Sequence, residues 1–215
     1  MNAKRILYWG GFIVVVGLII WGMIAAANKA EKENANVAPV DKVASFDWAK
    51  GATSSPVTLI EYSDFQCPAC AAYFPVVEQL LTEVGDKVLF VYRHFPLEQH
   101  RHAVPAAQAA EAAGEQGKFW EMYKRIFETQ TDWEDLADAK AIFAGYAQEL
   151  KLDMTKYAAA VESKENLDKI NNDLKSGLKA GVQGTPTFYL NGKKISPKNY
   201  EEFKKLIEDA AANNS

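Results

Sequence analysis

The chain has 215 residues, of which 48% are hydrophobic and 24% are charged, a balance that excludes a largely disordered protein. Its formal net charge at pH 7 is −4. Residues 28–215 contain all 28 acidic residues but only 22 of the 24 basic ones, because Lys4 and Arg5 come earlier. An acidic chain without a basic stripe is a poor match for DNA or RNA, so we expect no nucleic-acid partner.

The first predicted element is a membrane-spanning helix over residues 6–27. These 22 residues carry no charge, and at about 1.5 Å per helical residue they span the roughly 30 Å of a bilayer core. Because Lys4 and Arg5 precede them, the positive-inside rule places residues 1–5 in the cytoplasm and the rest of the chain outside. The alternative is a cleaved signal peptide, since residues 25–27 could form a small-residue cleavage site. Both interpretations export the remainder of the chain.

A linker and a strand-helix-strand unit are predicted next. Residues 28–45 are polar and lack a sustained apolar period, which predicts a linker before an ordered domain that begins at residue 46. The short apolar run 57–62 predicts a strand, the helical spacing over 71–84 predicts a helix, and the run 88–92 predicts a second strand. Short connections of this kind define a βαβ unit, so the two strands should pair in parallel.

From about residue 98 to 181 the pattern is helical. Helices are predicted over residues 106–113, 118–128, 133–150, 153–161 and 164–180. A β-hairpin follows, with strands at 187–190 and 194–195 around the turn Asn191-Gly192, and a last helix covers 200–211. This order predicts an α/β domain over residues 46–215 whose two halves build one sheet, with the helical block inserted between them.

The chain has two cysteines, Cys67 and Cys70, only three positions apart. As a structural staple they would close a loop of about four residues, worth on the order of 2 kcal/mol and less than a longer loop. As a zinc site they would need about two more ligands, and the candidates are distant in sequence: His94, His100 and His102. Unused free thiols are uncommon in an oxidising compartment. Redox catalysis is the interpretation that uses both thiols.

The position of the two cysteines at a predicted helix start favours redox catalysis. Positions i and i+3 of a helix lie on one face, so the two sulfurs can bond. Pro68 suits the first turn, where its missing N–H costs nothing. Free amides and the helix dipole stabilise a thiolate on Cys67. We therefore predict that Cys67 is the nucleophile and that Cys70, shielded one turn further in, resolves the mixed disulfide.

Two further residues are candidates for the site. Glu61 interrupts an apolar strand six residues before Cys67, where an unpaired carboxylate would be costly to bury. The alternative is an edge-strand glutamate that faces water; upstream of this cysteine pair we predict instead a partly buried carboxylate with a raised pKa that moves the proton of Cys70. Pro186 stands at the start of a strand, where it donates no ladder hydrogen bond, and an ordinary trans bond is the default for it.

Four segments, in this order, resemble the DsbA-like thiol-disulfide oxidoreductases over about residues 46–211. They are Phe65-Gln-Cys-Pro-Ala-Cys70, Tyr92-Arg-His-Phe-Pro-Leu97, Ala109-Ala-Glu-Ala-Ala113 with Gly117-Lys-Phe-Trp120, and Gly184-Thr-Pro-Thr-Phe188. The resemblance implies a thioredoxin fold with an inserted helical domain, an acidic residue matching Glu61, and a cis peptide bond at Thr185–Pro186 against the active-site disulfide. The backbone of Thr185 would then pair with an extended substrate peptide.

The resemblance also implies a function and a partner. We expect a single-pass protein of the bacterial cell membrane whose outward-facing domain introduces disulfides into newly exported, unfolded proteins that contain cysteine. Its partner would be a quinone-linked membrane oxidase of the DsbB or VKOR type, and no metal or organic cofactor is expected. The chain departs from the best-known periplasmic oxidases at Ala69, where they have histidine, so one cation that could lower the pKa of Cys67 is missing.

Two alternatives to the oxidase remain open. A disulfide isomerase or reductase would use the same two cysteines in reduced form. A non-catalytic binding or metal-delivery module would use the thioredoxin fold as a scaffold only. The three histidines are expected to be loop or strand-end residues without a role in any of these.

Overall fold

The computed structural model describes residues 16–23 and 39–213. The chain divides into two compact units, Met1–Ala38 and Pro39–Ser215. In the first unit residues 16–23 are helical. The described residues do not include the rest of the predicted membrane helix, residues 1–5 before it, or residues 28–38 of the predicted linker. Within the two described stretches, no helix has both the length and the apolar character needed to cross a membrane.

The second unit is built on one five-stranded sheet. Its strands are β1 (Trp48–Gly51), β2 (Thr58–Ser63), β3 (Leu89–His94), β4 (Thr187–Leu190) and β5 (Lys193–Ile195). They lie in the spatial order β1-β3-β2-β4-β5. β2 and β3 pair in parallel, which confirms the predicted βαβ unit. β4 pairs antiparallel with β2, and β5 with β4, so both predicted halves build one sheet.

Eight helices accompany the sheet in residues 39–213. They are α1 (Pro68–Val84), α2 (Ala103–Gly114), α3 (Phe119–Glu128), α4 (Gln130–Trp133), α5 (Lys140–Glu149), α6 (Met154–Val161), α7 (Lys164–Lys179) and α8 (Tyr200–Ala212). α1 connects β2 to β3, α2 to α7 form the predicted insertion between β3 and β4, and α8 follows the hairpin. The fold is therefore an α/β thioredoxin-like fold with a helical insertion.

The single helix predicted over residues 133–150 is wrong. α4 ends at Trp133 and α5 begins only at Lys140. The side chain of Asp138 accepts a hydrogen bond from the amide of Lys140 at 2.9 Å, a local bond that forms just before α5. Between the two helices, the carbonyls of Glu134 and Leu136 accept hydrogen bonds from side chains outside the insertion's own helices. Tertiary contacts thus replace the helical bonds of this segment.

The edge strand β1 was not predicted. Its four residues are too few to show an alternating pattern. The strand is fixed instead through Trp48, whose indole stacks on Phe119 with ring centroids 4.3 Å apart and donates to Glu111 at 2.7 Å. A Cβ atom at Gly114 would lie 2.3 Å from the Trp48 ring, so the close approach of α2 requires glycine there.

The two faces of the sheet bury separate clusters. Leu59 and Phe90 belong to one cluster together with Phe74 of α1. Tyr62 belongs to the other cluster, on the face covered by α7. A Cβ atom at Gly177 of α7 would lie 2.9 Å from the Tyr62 ring, so the helix packs directly on the sheet. Because side chains alternate along a strand, Glu61 faces the α1 side with Leu59.

A buried ion pair fixes the start of the domain to the sheet. The guanidinium of Arg93 contacts both carboxylate oxygens of Asp47, at 3.1 and 2.8 Å. It also donates to the carbonyl oxygens of Asp41 and Lys42, each at 3.0 Å. The last residues of the segment predicted as a linker therefore belong to the folded second unit.

Candidate functional site

Cys67 and Cys70 lie where the chain passes from the central strand β2 into α1. Cys67 is the N-cap residue of α1, with φ −74° and ψ 120°, and Pro68 follows in the first turn. The exposed fraction is 6% for Cys67 and 1% for Cys70, whereas the intervening residues are exposed. Both cysteines are free thiols in the structure. Cys67 is thus at the rim of the site and Cys70 behind it.

The surroundings of Cys67 favour its thiolate. Its pKa is lowered from 9.0 to about 5, chiefly by hydrogen bonding from the Cys70 side chain, against the opposing effect of burial. The backbone amides of Cys70 and Ala69 lower the pKa further. These donors are dipoles rather than a cation, so the pKa of Cys67 is lowered without a charged side chain at position 69.

Cys70 has the opposite electrostatics. Burial, the Cys67 side chain and the charge of Glu61 together raise its pKa well above the usual range of a thiol. The backbone amide of Asp64 lies 3.5 Å from its sulfur and is oriented to donate to it. A thiol with a low pKa and a thiol with a high pKa therefore stand one helical turn apart.

Glu61 lies on the central strand β2, between Tyr92 of β3 and Phe188 of β4. The alternative of a glutamate on an edge strand is therefore excluded. Its exposed fraction is only 2%, so it is more deeply buried than the sequence predicts. Burial is the main cause that raises its pKa from 4.5 to about 7; the Ser63 hydroxyl lowers it and the charge of Cys67 raises it. A carboxyl group with this pKa exchanges protons at neutral pH.

Thr185 and Pro186 are half-buried, and Thr185 lies beside Cys67. The peptide bond between them is cis, as the resemblance implies. The thiol of Cys67 donates to the carbonyl oxygen of Thr185 at 3.3 Å. The Thr187 hydroxyl donates to the carbonyl of Gly184 at 2.7 Å, which closes the turn before β4. The fold thus brings all five predicted site residues to one end of the sheet: Cys67, Cys70, Glu61, Thr185 and Pro186.

Sequence analysis missed Gln130, which ties the active-site loop to the insertion. Gln130 is buried in α4, and its side-chain amide donates to the carbonyls of Phe65 at 2.7 Å and Cys67 at 3.1 Å. An isolated glutamine in a helical pattern gives no signal of this contact, since its partners lie more than sixty positions away.

Gln66 makes a second connection to the insertion. Its side-chain nitrogen donates to the carbonyl of Glu134 at 2.8 Å, and its side-chain oxygen accepts from the amide of His102 at 2.6 Å. The ring of His102 in turn bonds the carbonyl of Leu136 at 2.8 Å. The segment that interrupts the predicted helix 133–150 therefore holds the loop before Cys67.

The histidines have structural partners that the sequence did not reveal. His94 is buried at the end of β3, with its ring 2.7 Å from the carboxylate of Glu111. His100 lies 2.7 Å from the carboxylate of Asp64, whose side chain also accepts from two backbone amides. Across residues 16–23 and 39–213, no group of three or more His, Cys, Asp or Glu side chains is arranged to hold a metal ion.

Comparisons with known proteins agree with the fold. A family model described as thioredoxin matches residues 45–209. BdbD from Bacillus subtilis, in its oxidised form, aligns with a TM-score of 0.69 and 24% identity over 82% of this chain and 99% of that chain. The alpha-DsbA1 protein of Wolbachia pipientis aligns with a TM-score of 0.69 and 23% identity over 80% of this chain and 94% of that chain.

Curated relatives match over only part of their length. The Na(+)/H(+) antiporter NhaA 1 of Salinispora arenicola is 38% identical over 149 residues, which are 69% of this chain and 22% of the antiporter. NhaA 3 of Salinispora tropica is 36% identical over 77% of this chain and 25% of that protein. The chain therefore spans a quarter or less of the length of these two relatives.

Proposed function

The chain belongs to the thioredoxin family, and from that membership we propose that it is an extracytoplasmic thiol-disulfide oxidoreductase that introduces disulfides into exported proteins. One observation carries the proposal. Cys67 and Cys70 are one helical turn apart, yet the pKa of Cys67 is lowered to about 5 while that of Cys70 is raised well above its usual range. A structural disulfide needs no such difference, whereas thiol-disulfide exchange does.

The reaction consists of two exchanges. A substrate thiolate attacks the sulfur of Cys67 in the Cys67–Cys70 disulfide; a mixed disulfide forms and Cys70 leaves as a thiolate, which then takes up a proton. A second substrate thiolate attacks the substrate sulfur of the mixed disulfide, and Cys67 leaves as a thiolate. Two electrons pass from the substrate to the enzyme, and the substrate keeps the new disulfide.

The low pKa of Cys67 supports the oxidising direction. A thiolate of low pKa is a good leaving group, and a stabilised thiolate favours the reduced enzyme over its disulfide. The reduced form then accumulates after each turnover and needs reoxidation. We propose a quinone-linked membrane oxidase of the DsbB or VKOR type for that step, with no metal or organic cofactor on this chain.

The substrate would bind along the turn before β4. Thr185 is half-buried beside Cys67, where its backbone can pair with an extended peptide as an added strand. Backbone pairing of this kind does not depend on the substrate's side chains, which suits an enzyme that acts on many unfolded proteins.

We propose that residues 6–27 anchor the catalytic domain outside the bacterial cell membrane. The proposal rests on their lack of charge and on Lys4 and Arg5 before them. Full-length protein should then sediment with membranes, with residues 28–215 open to protease added from outside. Recovery of only a soluble form that begins near Asn28 would contradict the anchor and support a cleaved signal peptide.

The catalytic proposal is tested with a reduced, unfolded protein as substrate. The oxidised enzyme should restore its native disulfides, and Cys67→Ala should not. Faster reduction of insulin than oxidation of the substrate, together with a reducing potential in a glutathione buffer, would favour the isomerase or reductase. No exchange in either direction would favour a scaffold that binds without catalysis.

A further inference from the structure

Three buried polar atoms on strands β2 and β3 have no hydrogen-bond partner among the described residues. They are Oε2 of Glu61, Oγ of Ser63 and the hydroxyl oxygen of Tyr92. Buried polar groups are nearly always hydrogen-bonded, so an orphaned group indicates a functional constraint or a partner that is present only part of the time. The proton bound to Cys70 is such a transient partner, since it leaves and returns in every turnover.

The sheet register places these atoms together. Glu61 and Ser63 alternate along β2, so their side chains share the face that α1 covers. Tyr92 is the partner of Glu61 across the parallel pair β2 and β3. Ser63 is the last residue of β2, so it lies nearer than Glu61 to the loop that leads to Cys67.

The residue after Ser63 contacts the buried cysteine. The backbone amide of Asp64 is 3.5 Å from the sulfur of Cys70. The Ser63 side chain thus stands at the end of the strand, one residue before the amide that contacts the thiol, and the carboxyl group of Glu61 lies on the same face of the strand. Ser63 is 1% exposed, and Glu61 is 2% exposed, so both are almost completely shielded from bulk water.

The Ser63 hydroxyl makes no hydrogen bond to either group in the structure, but it lies close enough to influence the pKa of both groups that exchange the proton. Burial raises the pKa of Glu61 and of Cys70, and in both cases the Ser63 side chain acts in the opposite direction and lowers the pKa. A hydroxyl can accept one hydrogen bond while it donates another, so one rotatable group can serve a thiol and a carboxylate at once.

We propose that the hydroxyl of Ser63 relays the proton between the thiol of Cys70 and the carboxylate of Glu61. This inference rests on the thiol-disulfide exchange proposed above and assigns a further residue to it. When Cys70 attacks a mixed disulfide, its S–H proton passes to Oγ of Ser63, and the hydroxyl proton of Ser63 passes to the carboxylate of Glu61. In the opposite direction the protons return by the same path.

Other groups that titrate also surround the relay. Cys67 faces it from the start of α1, Tyr92 from β3 and Tyr123 from α3, and the pKa of each tyrosine is raised well above its usual range by burial, with the charge of Glu61 as the next cause. Both tyrosines therefore stay protonated at neutral pH, and Cys67 is a thiolate there. Cys70 and Glu61 remain as the groups that exchange the proton.

The test is a rapid-mixing experiment on the reduced protein with an aromatic disulfide whose thiol products are coloured. Attack by Cys67 releases the first aromatic thiol, and attack by Cys70 on the resulting mixed disulfide releases the second. At pH 7, Ser63→Ala should slow the second phase by about tenfold or more, the lower range for general acid-base catalysis. The first phase should stay within about twofold of wild type, because the relay does not act on Cys67.

Three further measurements separate a relay from a structural role. The defect of Ser63→Ala should shrink as pH rises, since hydroxide then deprotonates Cys70 directly. Ser63→Thr keeps a hydroxyl and should restore the second phase. Ser63→Ala should not lower the free energy of unfolding, because it removes an unsatisfied buried hydroxyl. A second phase equal to wild type at every pH would overturn the relay.

A double-mutant cycle with Glu61→Gln tests independently whether Ser63 and Glu61 act on the same proton path. A relay requires that Ser63→Ala add little to the loss caused by Glu61→Gln, because either change breaks the same path. Fully additive losses would overturn the relay. If wild type shows both phases and Ser63→Ala matches it, the relay fails and thiol-disulfide exchange stands. If wild type shows neither phase, both proposals fail.

Discussion

The sulfur of Cys67 lies 3.3 Å from the carbonyl oxygen of Thr185, although the two residues are 118 positions apart. Cys67 follows β2 in the first half of the domain, and Thr185 precedes β4 in the second half. The antiparallel pairing of β2 with β4 brings them together, with Tyr62 opposite Thr187. The electrostatics of the nucleophile therefore depend on a segment that lies beyond the whole helical insertion.

The different burial of the two thiols predicts which one captures substrates. Cys70→Ala should accumulate covalent adducts with exported proteins through Cys67, because the adducts form and cannot be resolved. Cys67→Ala should accumulate almost none, since Cys70 is 1% exposed and its pKa is raised. Non-reducing gels with and without added thiol measure the adducts. Adducts in Cys67→Ala but not in Cys70→Ala would reverse the assignment.

The pKa of Cys67 should depend on Cys70, because the Cys70 side chain is the main cause that lowers it to about 5. We expect Cys70→Ala to raise this pKa by about one to two units. Cys70→Ser is the matched control, since its hydroxyl can still donate, and it should give a smaller rise. The absorbance of the thiolate in the ultraviolet, followed against pH, measures the pKa of Cys67 in both variants. Equal values in wild type and Cys70→Ala would show that the helix amides alone set the pKa.

The buried carboxyl of Glu61 predicts an unusual dependence of stability on pH. Its pKa is raised from 4.5 to about 7, so the folded state holds a proton that the unfolded state has lost. The contribution to stability is present below pH 4.5 and is lost as pH rises through about 7. Glu61→Gln removes this loss and should raise the free energy of unfolding at pH 8 by at most about 3 kcal/mol.

Urea denaturation of the disulfide form at pH 5 and pH 8 measures this effect without titration of the cysteines. The exposed Glu115 provides the control, and Glu115→Gln should keep the wild-type difference between the two pH values. If Glu61→Gln also keeps the wild-type difference in the free energy of unfolding between pH 5 and pH 8, the carboxyl of Glu61 is ionised in the folded protein at both pH values.

Gln130 predicts a coupling between the insertion and the active-site loop. Gln130→Ala removes the donor to the carbonyls of Phe65 and Cys67. Because a buried acceptor is left unsatisfied, the free energy of unfolding should fall by about 1–3 kcal/mol. Gln79→Ala on the exposed face of α1 is the control and should change it by less than about 0.5 kcal/mol. Equal losses in the two variants would mean that the hydrogen bonds of Gln130 to the active-site loop do not stabilise the protein.

The parts of this protein that depend on local pattern could be predicted from its amino-acid sequence alone. Apolar runs of four to six residues gave the central strands β2 and β3, and helical spacing gave most of the helices. The spacing of Cys67 and Cys70 at a helix start predicted their chemistry, because three positions along a helix always share one face. The location of Glu61 in an apolar strand just before them pointed to a buried carboxyl group, because an unpaired charge is costly at such a position.

The contacts between distant segments could not be predicted in this way and depend on how the chain folds. The edge strand β1 exists because Trp48 packs on the insertion, and the predicted helix 133–150 is interrupted because its carbonyls bond Gln66 and His102. The position of Ser63 next to Glu61 follows from strand alternation, but its burial without a partner follows from the helix that covers that face. Hydrogen bonds across sixty or more residues leave no periodic trace in the sequence, since their energy depends on position in space and not on spacing along the chain.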